Sequence, residues 1–480
     1  MVGRKKEIMQ LQERYNSGKA ELVAIYGRRR VGKTYLVDET FKGRITFRHA
    51  GLSPIEMEEQ SSVRPLKQQL RAFYYSLVSQ GMPKEHCPKD WLEAFFMLEM
   101  HLQAIDDGSR QLIFLDELPW MDTPQSGFIT AFESFWNSWA CHRNVMIVVS
   151  GSASSWIQDK LINNHGGLYG RVTYEIKLEP FTLHESEQLF EERGIAISRY
   201  DMVQSYMIFG GVPFYLNYFQ RGNSLAQNVD ELFFMKGAKL NLEFDRLFSA
   251  TFGNSDMMKS IVKVLAENSK GYTRSEISQK SGCANGGTLT EALKVLIASD
   301  FVMKYVPFGM GKREERYKLI DPFCIFYLKF VQDRTELPSE FWKENVTSQA
   351  IASWRGYAFE NVCFNHIAEI KRALGISGIA STQSAWTKTA TDKNDIGTQI
   401  DLIISRKDNI VNMCEMKFYS DIFTVKKEYD MTLRRRQSIL AAEISPKSTI
   451  QKTLITTYGI VENEYRWAFD NVITLEELFC

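Results

Sequence analysis

Continuous apolar runs of four or five residues recur in the first third of the chain. Leu22–Tyr26, Leu112–Leu115 and Val145–Val149 are each bounded by polar residues or glycine. Such runs fit strands covered on both faces, as in a parallel sheet between helices. Val172–Ile176 alternates, and reads as a further strand. Ser53 to Asp107 is rich in aromatic and helix-forming residues and reads as a helical insert. From Ser255 the period changes. Met258–Ala266 is amphipathic, and Thr273 with Glu276 has the spacing of a capping box that opens a short helix ending near Gly282. Thr288–Ala298 is a third helix, and Phe301–Val306 and Glu315–Ile320 are strand-like around a glycine-containing turn. Near the end, Gln399–Ile404 and Ile410–Lys417 flank Arg406–Asn409, a hairpin pattern preceded by a helix from Trp354. The pattern predicts an α/β chain in three segments, 1–247, 248–344 and 345–480.

Composition narrows this picture without overturning it. The chain has 480 residues, 44% hydrophobic and 24% charged, which suits a globular protein of about three domains. Lysine plus arginine balances aspartate plus glutamate at 58 each, so affinity for nucleic acid must come from local patches rather than a global field. Seven scattered cysteines form no C-x-x-C pair, which argues against a zinc ribbon and fits a reducing cytoplasm. The sequence has neither an apolar leader region nor a long uncharged apolar run, so the expectation is a cytoplasmic protein with no membrane partner.

The sharpest chemistry is Gly27-Arg28-Arg29-Arg30-Val31-Gly32-Lys33-Thr34, a G-x-x-x-x-G-K-T loop between a strand and a helix. Its backbone N–H groups can cradle phosphates at a helix N-terminus. Lys33 can reach the β- and γ-phosphates, and the Thr34 hydroxyl can ligate Mg²⁺. A second strand ends in Asp116-Glu117. Asp116 is placed to hold Mg²⁺ and Glu117 to orient or deprotonate the attacking water. Ser150 or Ser152, at the end of the following strand, can sense the γ-phosphate or cap a helix. Arg171 can serve as a γ-phosphate arginine, in cis or from a neighbouring subunit, or form a surface salt bridge.

Several motifs in order resemble one family. They are Val2–Glu7, the phosphate loop, Leu115-Asp116-Glu117, Ser150-Gly151-Ser152, Leu168–Arg171 and Gly210–Leu216. Together they look like the archaeal-type ATPases of the AAA+/STAND group. That resemblance implies ATP and Mg as cofactors, a segment around Gly3 and Arg4 beside the adenine, and a helical lid carrying Gly210-Gly211. The middle elements amount to a winged helix-turn-helix. Its third helix carries one basic residue, Lys294, and the wing turn carries Lys312 and Arg313. An interdomain role is therefore weighed against DNA binding.

The last segment holds a second constellation. Asp401 near the start of one hairpin strand and Glu415 on the other should lie close, and Lys417 shares the face of Glu415. Glu360 on the upstream helix can aim at the same point. Two carboxylates chelate Mg²⁺, and a lysine can assist the activated water or neutralise developing charge. This Asp…Glu-x-Lys arrangement is similar to the PD-(D/E)XK nucleases, which implies a small restriction-endonuclease-like α/β domain with DNA as partner. A cross-edge ion pair is the plain alternative. Arg434, Arg435, Arg436 and Gln437 on the next helix are candidates to meet a DNA backbone, and Gln437 also to assist at the metal. Arg171 acting in trans would require a homo-oligomer.

Overall fold

The computed structural model describes residues 1–53, 64–252, 255–332, 338–388 and 398–480. They divide into two compact units. The first comprises 1–180, 245–259 and 290–300, and the second comprises 181–244, 260–289 and 301–480.

The first unit is built on a five-stranded sheet of β1 (Glu21–Tyr26), β2 (Phe47–Ala50), β3 (Gln111–Asp116), β4 (Val145–Gly151) and β5 (Tyr174–Lys177). Its order is β2-β3-β4-β1-β5 and every pairing is parallel. β1, β3 and β4 are buried along their whole length, which explains their unbroken apolar runs. One face packs against helices Pro65–Ser79, Trp91–Ala104 and Phe128–Ser138 through a cluster that includes Phe73, Trp91, Phe95 and Phe132. The expected insert is thus helical, although residues 54–63 of it lie outside the described residues. β4 separates β3 from β1, so the carboxyl ends of these three strands share one edge. β5 starts two residues later than expected and ends one later.

The second unit holds two sheets. The smaller comprises β6 (Tyr272–Thr273), β7 (Val302–Tyr305) and β8 (Arg316–Leu319), antiparallel in the order β6-β8-β7. Both halves of the capping box form: the Glu276 amide donates to Thr273 Oγ1 at 3.4 Å, and the Thr273 amide to Glu276 Oε2 at 2.7 Å. The larger sheet comprises β9 (Ser381–Lys388), β10 (Thr398–Arg406), β11 (Ile410–Lys417), β12 (Thr449–Thr456) and β13 (Asn471–Ile473), in the order β13-β12-β11-β10-β9. The β10–β11 pair is the antiparallel hairpin, and β12 and β13 add in parallel. Asn409 closes the hairpin at φ 63°, a backbone region that asparagine tolerates.

The three expected segments do not match the two units. Residues 181–244, expected with the ATPase segment, group with the C-terminal part because their helices bury aromatic faces there. Phe233 packs tilted against Phe326, and Tyr206 meets His366 edge to face. The stretch expected as a linker to about Glu344 is core: Trp342, Trp354, Phe326 and Phe330 form one edge-to-face cluster. Both oxygens of Asp230 accept from the start of the helix Phe341–Asn345, through the amides of Trp342 (2.7 Å) and Lys343 (3.1 Å). Among the described residues, no helix is long and apolar enough to cross a membrane.

Candidate nucleotide and carboxylate sites

The loop after β1 leads into the helix Lys33–Thr40. Gly27 adopts φ 145°, and a Cβ there would lie 2.2 Å from the carbonyl oxygen of Leu178, so only glycine fits. Gly32 and Arg30 also take positive φ, 92° and 74°, and the loop curls tightly. Lys33 is buried and donates to the carbonyls of Gly27 (3.0 Å) and Arg28 (3.2 Å), bridging the loop to its own start. Burial lowers its ammonium pKa, against the charges of Glu117 and Asp116.

Sequence-distant residues meet here. Thr34 Oγ1 donates to Asp116 Oδ2 at 2.7 Å, which places the two expected Mg²⁺ ligands side by side. Ser150 donates to the other Asp116 oxygen. Ser152 binds Glu117 Oε2 through both its amide and hydroxyl, each at 2.8 Å. Glu117 itself sits at φ 47°, turned by the bend that ends β3. Ser150 and Ser152 thus orient the two acids. The loop arginines lie along the cradle: Arg28 is buried, and Arg29 lies over the Trp120 ring and donates to the Ala250 carbonyl. Arg4 is also buried beside the loop, donating to the carbonyls of Val31 and Glu179. Arg171 is exposed in the turn before β5, with no hydrogen bond or ion pair from its side chain to the described residues.

The second site lies on the larger sheet. Leu402 pairs with Cys414, so Asp401 and Glu415 are neighbours across the hairpin. On its other side β10 shifts register against β9 between Ile400 and Ile403, a bulge at Asp401 of the kind that re-aims a side chain. Lys417 Nζ lies 3.8 Å from Asp401 Oδ2 and 3.6 Å from Glu415 Oε2. Glu360, on the helix Gln349–Asn365, lines two cavities together with Asp401, of about 500 and 360 Å³. Burial, then the charge of Asp401, pushes the Glu360 carboxyl up to about 7, and burial also raises Asp401.

The sequence reading missed how Glu415 is held. It is fully buried and lines neither cavity. Arg436 pairs with Glu415 Oε1, and the Tyr429 hydroxyl donates to Oε2 at 2.9 Å. Arg436, expected to meet a DNA backbone, therefore points inward, and Arg434 pairs with Asp430 at 2.7 Å. The i, i+7 spacing of Tyr429 and Arg436 on the helix Lys427–Ala441, two turns apart on one face, was the available signal. Lys318, on β8, is a second residue that was missed. Its ammonium is buried, lies 5.3 Å from the ring centroids of both Tyr357 and Phe364, and feels Glu360 and Asp401. Among the described residues, no group of three or more His, Cys, Asp or Glu side chains is assembled to hold a metal ion. The oxygen donors of Glu360, Asp401 and Glu415 suit a hard cation in kind.

Comparison with known proteins bears on the first site. Residues 1–219 match the family model of an ATPase domain predominantly from Archaea. An uncharacterized protein of Methanocaldococcus jannaschii is 24% identical over 380 residues, covering 77% of this chain and 78% of its own. An uncharacterized ATP-binding protein of the same organism is 44% identical over 43 residues, 9% of this chain and 73% of its own. Among solved structures, a Walker-type ATPase of Pyrococcus abyssi matches at 16% identity and TM-score 0.47, covering 68% of this chain and 96% of that one. The ORC2 protein of Aeropyrum pernix, in ADPNP and ADP complexes, matches at 13% and 0.41, covering 76% and 95%. With the phosphate loop, Asp116 and Glu117 at one edge of a parallel sheet, the N-terminal part of this chain is an ATPase domain of the archaeal type.

Proposed function

We propose that the protein binds and hydrolyses ATP, and that its nucleotide state gates a Mg²⁺-dependent nuclease-like site acting on DNA. The observation that carries the ATPase reading is the 2.7 Å contact of Thr34 with Asp116, beside Lys33 and Glu117. When ATP enters, its phosphates compete with the Gly27 and Arg28 carbonyls for Lys33. Thr34 and Asp116 would hold Mg²⁺, which would offset the negative charge of the phosphates. Glu117, oriented by Ser152, accepts the proton of the attacking water. Support for a cutting site is the convergence of Glu360, Asp401, Glu415 and Lys417, with a bulge that turns Asp401. Asp401 and Glu415 would hold a metal that activates water, with Glu360 beside them. Lys417 is placed to offset charge on the phosphate, and the wing and its helices are candidates to meet DNA. Support for coupling is covalent: the chain passes between its two units five times, after residues 180, 244, 259, 289 and 300.

A second reading is favoured by the engagement of Glu415 with Arg436 and Tyr429. In it the carboxylate site is inert, and the protein is an ATP-dependent switch that binds DNA or a protein. Plasmid and linear DNA incubated with Mg²⁺ or Mn²⁺, with and without ATP, separate the two. Cleavage that responds to ATP and disappears in Lys417→Ala supports the gated nuclease. Normal ATP hydrolysis with no cleavage under any condition supports the switch.

A further inference from the structure

A lysine ammonium buried without compensating charge is costly, so the sequence must retain Lys318 against that cost or balance it. β8 delivers it. Arg316 and Lys318 are two residues apart on one strand, share a face, and both line the 500 Å³ cavity that reaches Glu360 and Asp401. The rings of Tyr357 and Phe364, both on the Glu360 helix, hold the ammonium by cation–π attraction. The Lys318 side chain forms no ion pair or hydrogen bond among the described residues, and it lines the same cavity as Glu360 and Asp401, whose charges act on it. Glu360 and Asp401 thus meet Lys318 from β8 as well as Lys417 from β11, and Arg316 lines the same cavity, so cations flank the carboxylates with no metal present.

We infer that Lys318 is a resident counter-cation of the carboxylate site, supplied by the small β6–β8–β7 sheet, and that it competes with a divalent cation for Glu360 and Asp401. This rests on the carboxylate site being a metal site. A divalent ion entering a cluster of acids already flanked by cations gains less attraction than one entering the same acids with a cation removed. The metal requirement is therefore set by where β8 stands, because moving that strand removes one positive charge from the site. Lys417 is different in kind: it comes from the carboxylate strand itself and cannot leave without it.

The test is Mn²⁺ titration by calorimetry on the whole chain without nucleotide, comparing parental protein with Lys318→Met, Lys318→Arg, and Lys318→Met combined with Asp401→Asn. Lys318→Met should bind one Mn²⁺ at least ~10-fold more tightly than the parent. Lys318→Arg, which keeps the charge, should stay near the parent, and Asp401→Asn should abolish the gain. Thermal melting and unchanged ATP binding report whether each variant is folded. Equal Mn²⁺ affinity in parent and Lys318→Met overturns the inference, as does a gain in Lys318→Arg as large as in Lys318→Met. DNA cleavage is read separately. Tighter Mn²⁺ with no cleavage sustains Lys318 as the counter-cation while removing the nuclease, whereas cleavage without tighter Mn²⁺ does the reverse.

Discussion

The two sites are electrostatic opposites. At the phosphate loop one cation, Lys33, leans on main-chain carbonyls, and the acids beside it are held by the hydroxyls of Thr34, Ser150 and Ser152. None of those neutral partners carries formal charge, so an incoming polyanion meets Lys33 and a ring of N–H groups at small electrostatic cost. At the sheet edge every acid already has a formal cation as neighbour. An incoming metal must displace charge rather than fill a place. The first site holds its acids with neutral partners, while the second already has cations beside its acids.

The largest effects test each half separately. Lys33→Ala should weaken ATP binding by ~100-fold or more, read by fluorescent-nucleotide titration, while Mn²⁺ binding at the carboxylates stays unchanged. Loss of both would break the contrast. Asp401→Asn should remove cleavage by ~100-fold or more and leave ATP hydrolysis at the parental rate. Next, Glu117→Gln should retain ATP but slow its turnover by ~100-fold, measured as phosphate release in single-turnover conditions. Parental turnover in that variant would remove Glu117 from the chemistry.

A smaller effect concerns pH. Burial pushes the Glu360 carboxyl from its ordinary 4.5 up to about 7 in the fold. Between those values the folded chain holds a proton that the unfolded chain has released, so stability falls as pH rises through this window. Glu360→Gln removes that loss. It should raise the melting temperature at pH 8 by the few degrees that about 3 kcal/mol gives, and change it little near pH 4.5. Least of all, Arg171→Ala should leave ATP turnover within about twofold in dilute protein, because the side chain is exposed. A tenfold loss that depends on protein concentration would instead assign it to a neighbouring copy.

The phosphate site was legible because its parts are contiguous. Gly27 to Thr34 and Asp116-Glu117 each carry their own geometry, and the apolar runs before them are buried strands. The hairpin acids were legible for a related reason, since period two and a four-residue turn set the register that pairs Leu402 with Cys414. Lys318, Tyr429 and Arg436 were not, because nothing in their own segments marks an inward charge. The meaning of Lys318 depends on which helix covers the small sheet. Residues 181–244, expected with the ATPase segment, group in packing with the C-terminal part although the ATPase-domain match runs on to residue 219; amphipathic helices declare that they need a partner without declaring which one.

The packed stretch around Trp342 bears on modularity. A fragment that begins at residue 345 keeps Trp354 but loses Phe326, Phe330 and Trp342, the rings that cover it. Its helix Gln349–Asn365, which carries Glu360, would then meet water along an aromatic stripe and tend to aggregate. The carboxylate segment is therefore not a cassette that recombination can lift out and attach to another protein. It can be inherited only together with the helices that precede it.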